Sequence, residues 1–143
     1  MTGKIMQRAA LTLLFALATP ALAETPVAVA DAPLTAQQFE DYATGKTLSY
    51  AQDGIVWGSE QYLPGRKVIW AFTEDECQYG HWFEDQGNIC FVYDKDPTPQ
   101  CWRFYRERDG LHAIFMGADG GTQLSEVGQS TTPLSCPGPE VGV

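Results

Sequence analysis

The chain has 143 residues, 18 of them acidic and 9 basic, for a net charge of −9. That balance argues against nucleic acid and anionic lipid surfaces as partners, because binding either one needs Lys and Arg to displace counterions. The length is that of one domain.

In chain order, residues 1–23 come first. Lys4 and Arg8 form a short basic region, the run from Ala9 to Ala18 is mostly apolar, and Pro20 precedes Ala21-Leu22-Ala23. This is the pattern of a secretory signal cleaved after Ala23. The apolar run is shorter than the roughly 20 residues a spanning helix needs, so no membrane insertion is expected after cleavage. A lipid anchor would need a cysteine at the cleavage point, and the first cysteine is Cys77. The expected product is a periplasmic or secreted protein of 120 residues. Its charge becomes −11, because Lys4 and Arg8 leave with the signal. A cationic partner is compatible with such a surface.

Residues 24–33 are rich in Ala and Pro and lack periodicity, which predicts a flexible leader. A helix start follows. Thr35 and Gln38 have the T-x-x-Q spacing of a capping box, and Leu34 is placed to staple onto Phe39. Phe39, Tyr42 and Ala43 share one helical face, Glu40 and Asp41 are expected to point outward, and Thr44-Gly45 supplies the stop. About two turns of helix need a surface to pack on, and the obvious one is a sheet.

From Lys46 the pattern is that of strands. TLSYA (47–51) ends at Asp53-Gly54, a hairpin signal, and IVWGSEQYL (55–63) ends at Pro64-Gly65. Five aromatic runs then follow: KVIWAF (67–72), CQYGHWFE (77–84), NICFVYD (88–94), CWRFYRE (101–107) and LHAIFM (111–116). The joints between them are TEDE, DQG, KDPTPQ and RDG, which is the spacing of an antiparallel meander. A last strand is expected at 122–127. Val68, Trp70 and Phe72 share a face, as do Ile89, Phe91 and Tyr93, and Leu111, Ala113 and Phe115. The opposite faces carry Ile69, Val92, Ile114 and Met116, so both faces should be partly covered.

The expected fold is therefore mainly β. About eight antiparallel strands form a small up-and-down barrel or a strongly curved meander, with one short N-terminal helix. The β domain spans residues 34–128, and 129–143 form an irregular tail tethered by Cys136. A barrel of this size is filled by side chains or holds one small ligand.

Four cysteines in an exported chain imply two disulfides, with three possible pairings. Cys90 and Cys101 lie on consecutive strands of one hairpin, which favours Cys90–Cys101 together with Cys77–Cys136. The pairing of Cys77 with Cys90 suits the turn at Gln86-Gly87 less well. No C-x-x-C spacing supports a metal site, and none is expected. Nor does any motif call for a cofactor.

Tests for reactive constellations are negative. His81 and His112 stand alone, with neither H-E-x-x-H nor G-x-S-x-G spacing around them. Carboxylates cluster at turns, as in Glu74-Asp75-Glu76 and Glu84-Asp85, where solvation explains them. The richest feature is aromatic: Trp57, Trp70, Trp82, Trp102 and Tyr93 are the candidate binding residues. Arg103 joins them, beside Trp102, while Arg106 and Arg108 project to the other face. These arginines are expected to pair with the turn carboxylates.

At G-K-T-L-S-Y (45–50), W-G-S-E-Q-Y-L-P-G-R (57–66), C-x-x-G-x-W (77–82), I-C-F-x-Y (89–93) and C-W (101–102) the chain resembles small exported proteins of alphaproteobacteria of undescribed function. The resemblance covers residues 34–112 and implies a secreted β-rich domain, with no catalytic residues to carry over. The function expected is a non-enzymatic binding module for a small apolar or aromatic ligand or a partner protein. The alternatives are an inhibitor of an envelope or extracellular hydrolase such as lysozyme or a protease, and a hydrolase using His81 and nearby carboxylates.

Overall fold

A computed structural model describes residues 3, 32–72, 76–118 and 120–137. The segment expected to be a secretory signal and most of the expected leader lie outside the described residues. Eight strands follow one helix, and each strand is hydrogen-bonded antiparallel to the next in the chain. They are β1 (Thr47–Gln52), β2 (Ile55–Leu63), β3 (Lys67–Ala71), β4 (Cys77–Asp85), β5 (Asn88–Tyr93), β6 (Asp96–Glu107), β7 (Gly110–Phe115) and β8 (Gln123–Ser130). β8 returns to β1, with Thr47 opposite Ser130 and Leu48 opposite Gln129, and closes the barrel. Closure gives every described strand a hydrogen-bonded neighbour on both sides, which removes the two long edges of an open sheet.

The inward face follows from the period of two. Leu48, Tyr50, Glu60, Tyr62, Val68, Trp70, Trp82, Ile89, Phe91, Tyr93, Phe104, Leu111, Ala113 and Leu124 are all buried. At Asp53-Gly54 both residues have positive φ, 50° and 79°, the turn that matches the twist of a tight hairpin.

The helix α1 (Ala36–Ala43) carries the expected capping box. Thr35 Oγ1 accepts from the Gln38 amide, and Gln38 Oε1 accepts from the Thr35 amide at 2.9 Å. Its Phe39 is wholly buried, with ring centroids of Tyr62, Trp82, Phe91 and Phe104 4.5 to 6.4 Å away. The helix thus plugs one end of the barrel. Glu40 does not point free into solvent; Arg66 Nη2 lies 3.0 Å from its Oε2, because the turn between β2 and β3 comes up beside the helix.

Two disulfides, Cys77–Cys136 and Cys90–Cys101, leave no free cysteine among the described residues. Cys90 and Cys101 stand opposite one another in the β5–β6 ladder. Both bridges are compatible with an exported protein. No described helix is long and apolar enough to cross a membrane.

Three expectations need correction. The joint KDPTPQ is mostly strand: the turn is confined to Asp94-Lys95, and β6 begins at Asp96. Its two prolines are tolerated because Pro97 and Pro99 lie at a register shift with β5 and beyond the end of the β6–β7 ladder, so no ladder bond is lost. The β domain extends past 128, since β8 runs to Ser130. The tail is held by more than Cys136: Thr47 Oγ1 donates to the Thr132 carbonyl, and the Leu134 amide donates to Gln61. It runs along the outside of the barrel, where Thr132, Pro133 and Leu134 line a groove of about 380 Å³ together with Ser49 of β1, Ser59 of β2 and Ala71 of β3.

Candidate functional site

At the end opposite α1 no described residue plugs the barrel. A cavity of about 80 Å³ opens there, with walls from Trp70, Phe72, Phe91, Trp102 and Phe104 and polar groups from Tyr50, Glu60, Tyr62, Gln78, Tyr93 and Gln100. No Lys, Arg or His is among its described lining residues. Space of this size admits a few waters or one small group, not a drug-sized ligand, for which pockets run to about 300 Å³ or more.

Two glycines make room for this wall. A Cβ at Gly58 would lie 2.7 Å from the Trp70 ring, and one at Gly80 would lie 3.0 Å from the Tyr93 ring and 2.1 Å from the Val92 carbonyl oxygen. The glycines of W-G-S-E-Q-Y and C-x-x-G-x-W therefore serve close approach.

Glu60 is the distinctive group. It is 3% exposed, stands opposite Leu48 on β1 and Trp70 on β3, and accepts from the Tyr93 hydroxyl at 2.9 and 3.2 Å. Burial pushes its pKa up to about 8, although the Tyr93 hydrogen bond pulls the other way, so the acid is largely neutral at pH 7. Tyr50 and Tyr62 bond each other hydroxyl to hydroxyl at 2.9 Å. Burial raises Tyr50, Tyr62 and Tyr93 well above the usual phenol range, so all three keep their protons.

Of the six candidates from sequence, Trp70, Trp102 and Tyr93 line this cavity. Trp82 does not: it is buried at the plugged end against Phe39, with the Arg66 guanidinium 4.4 Å over its ring. Trp57 is exposed near the β1–β2 hairpin tip, where Ile55 and Val56 are also exposed. Arg103 lies on the outer face of β6 and donates to Asn88 Oδ1 at 3.2 Å rather than to a turn carboxylate. Arg106 lies 4.4 Å over the Tyr42 ring, again not on a turn carboxylate. His81 is exposed on the outer face of β4, opposite Val92, and His112 is half-buried on the outer face of β7.

Sequence reasoning missed the two buried acids, Glu60 and Glu126. The signal for Glu60 was alternation: with Tyr62 inward, its neighbour two residues back must also face in. Glu126 belongs to the plugged end. It accepts from the Tyr42 hydroxyl at 2.8 Å, the Leu111 amide at 2.8 Å and Gln129 at 3.0 Å. No group of three or more His, Cys, Asp or Glu among the described residues is arranged to hold a metal ion.

No family model, no curated protein and no solved structure matches the chain.

Proposed function

We propose that this protein is an exported, non-enzymatic binding module that works through the open mouth of its barrel. The observation that carries this reading is the cavity at that mouth, walled by aromatic rings, with one buried carboxyl in it. Its small volume suits the end of a ligand, such as the tip of a side chain or one small functional group, with the remainder resting on the rim. Phe72 lines the cavity and is half exposed, and Ile55, Val56, Trp57 and Met116 expose further apolar surface on segments at the same end of the barrel.

The test is indole and methyl NMR of the labelled protein against a mixture of small aromatic and aliphatic fragments, with native mass spectrometry of protein purified without denaturation. Shifts concentrated on Trp70, Trp102 and the rim are expected. Shifts at neither, together with a bare native mass, would sink the reading.

A second reading, inhibition of an extracellular hydrolase, is favoured by the exposed Ile55-Val56-Trp57 segment on an acidic protein, which would attract a cationic enzyme such as lysozyme. A lysozyme activity assay with micromolar protein decides it, and unchanged turnover rules that target out.

A further inference from the structure

We propose that the mouth selects a small organic ammonium group, which enters among the rings of Trp70, Trp102 and Phe72 and is neutralised by the Glu60 carboxylate. This names the ligand class for the binding reading above and rests on it. Trp70 stands directly opposite Glu60 in the β2–β3 ladder, so ring and carboxyl meet on the inward face within the few ångströms that separate cross-strand neighbours. Aromatic faces attract cations, most strongly when water is excluded. An anion entering the same space would meet a carboxyl and, among the described residues, no Lys, Arg or His. The protein's negative charge draws cations toward the opening.

The groups that face Glu60 bear this out as a cation site. Tyr93 from β5 donates to it, and Tyr50 from β1 and Tyr62 from β2 occupy each other. Leu48 from β1 and Trp70 from β3 flank it and do not titrate. Glu126 and Tyr42 act on this interior only from the plugged end. No described lining residue carries a positive charge, and burial keeps the proton on Glu60. When an ammonium enters, the Glu60 proton leaves to solvent, and the carboxylate stays behind as the partner of the cation. The net exchange is one bound cation for one released proton.

The experiment titrates the labelled full chain with methylammonium, with Nα-acetyl-lysinamide and with methanol as the neutral counterpart, at pH 6 and pH 9, reading the Trp70 and Trp102 indoles. Both amines stay charged over that range, since alkylammonium groups titrate near 10.4. With the Glu60 pKa at about 8, ammonium affinity should rise about a hundredfold from pH 6 to pH 9. Glu60→Gln should abolish that rise. Tyr93→Phe, which removes the hydrogen bond favouring the ionised acid, should move its midpoint to higher pH and keeps the test open if the first variant misfolds. Binding of methylammonium assigns a free amine, and binding of the lysinamide alone assigns a lysine side chain of a partner protein; either result supports the inference. Equal binding of methanol, or affinity unchanged with pH, overturns it. If neutral fragments shift the mouth indoles and no ammonium does, the ammonium inference falls and the open mouth stands. If nothing shifts them, both fall.

Discussion

The two ends of this barrel are built from the same kinds of residue and differ in how they are filled. At the plugged end Phe39 fills the lumen with four rings around it, Glu126 accepts three hydrogen bonds, and Arg66 ties Glu40 to the Trp82 face. At the open end, among the described residues, the rings of Trp70 and Trp102 have no plug and Glu60 has one hydrogen-bond partner, and Ile55 is 72% exposed. A buried acid that accepts several donors, as Glu126 does, is structural. Glu60 has a single neutral donor among the described residues and stands beside the cavity, which is the ground for the proposal made above.

Four substitutions or titrations sharpen or break that comparison. The largest effect should come from Phe39→Ala, which empties the centre of the plug; chemical unfolding should show a loss of about 3–5 kcal/mol. A loss under 1 kcal/mol would mean that the helix does not anchor the barrel.

Next is the pH dependence of stability through Glu60. Its folded pKa, about 8, lies above the unfolded value of 4.5. The folded state therefore holds one more proton between those values. Stability from this group is fully present below pH 4.5 and falls as pH rises through 8, by about 1.4 kcal/mol per pH unit within the window. Urea midpoints measured from pH 4 to 9 should decline for the natural sequence and lose most of that decline in Glu60→Gln.

Third, Glu126→Ala leaves the buried Leu111 amide without its acceptor and frees Tyr42. The expected cost is about 1–3 kcal/mol by thermal or urea unfolding, with faster amide exchange in α1. The smallest effect belongs to the rim. Trp57→Ser and Val56→Ser remove exposed side chains, so stability should stay within about 0.5 kcal/mol of the natural protein. Partner or fragment binding should nevertheless weaken, as judged by the same NMR titration. A rim that costs several kcal/mol when trimmed would be packing surface, and the contrast between the ends would dissolve.

The fold was legible for particular reasons. Thr35 and Gln38 marked the helix start because a capping box is local chemistry. Asp53-Gly54 marked a hairpin because few residues accept positive φ. Cys90 and Cys101 could be assigned to neighbouring strands of one hairpin from the chain order, but their direct opposition depends on the register shift between Phe91 and Tyr93. The prolines of KDPTPQ misled, since whether a missing N–H harms a strand depends on what lies beside it, and beside β6 at that point no β7 residue is paired. The site was half legible. Trp70, Trp102 and Tyr93 came from counting rings, but the same count included Trp82 and Trp57, which closure sends to the plug and to the rim.

The amino-acid order alone determined a meander of aromatic strands, most of its turns and one capped helix, because each depends on contacts within a few residues. Only the closed tertiary structure decided which mouth the helix fills and which carboxyl loses its water. Both outcomes depend on strands far apart in the chain meeting across a common interior, where solvation changes and local pattern carries no record of it.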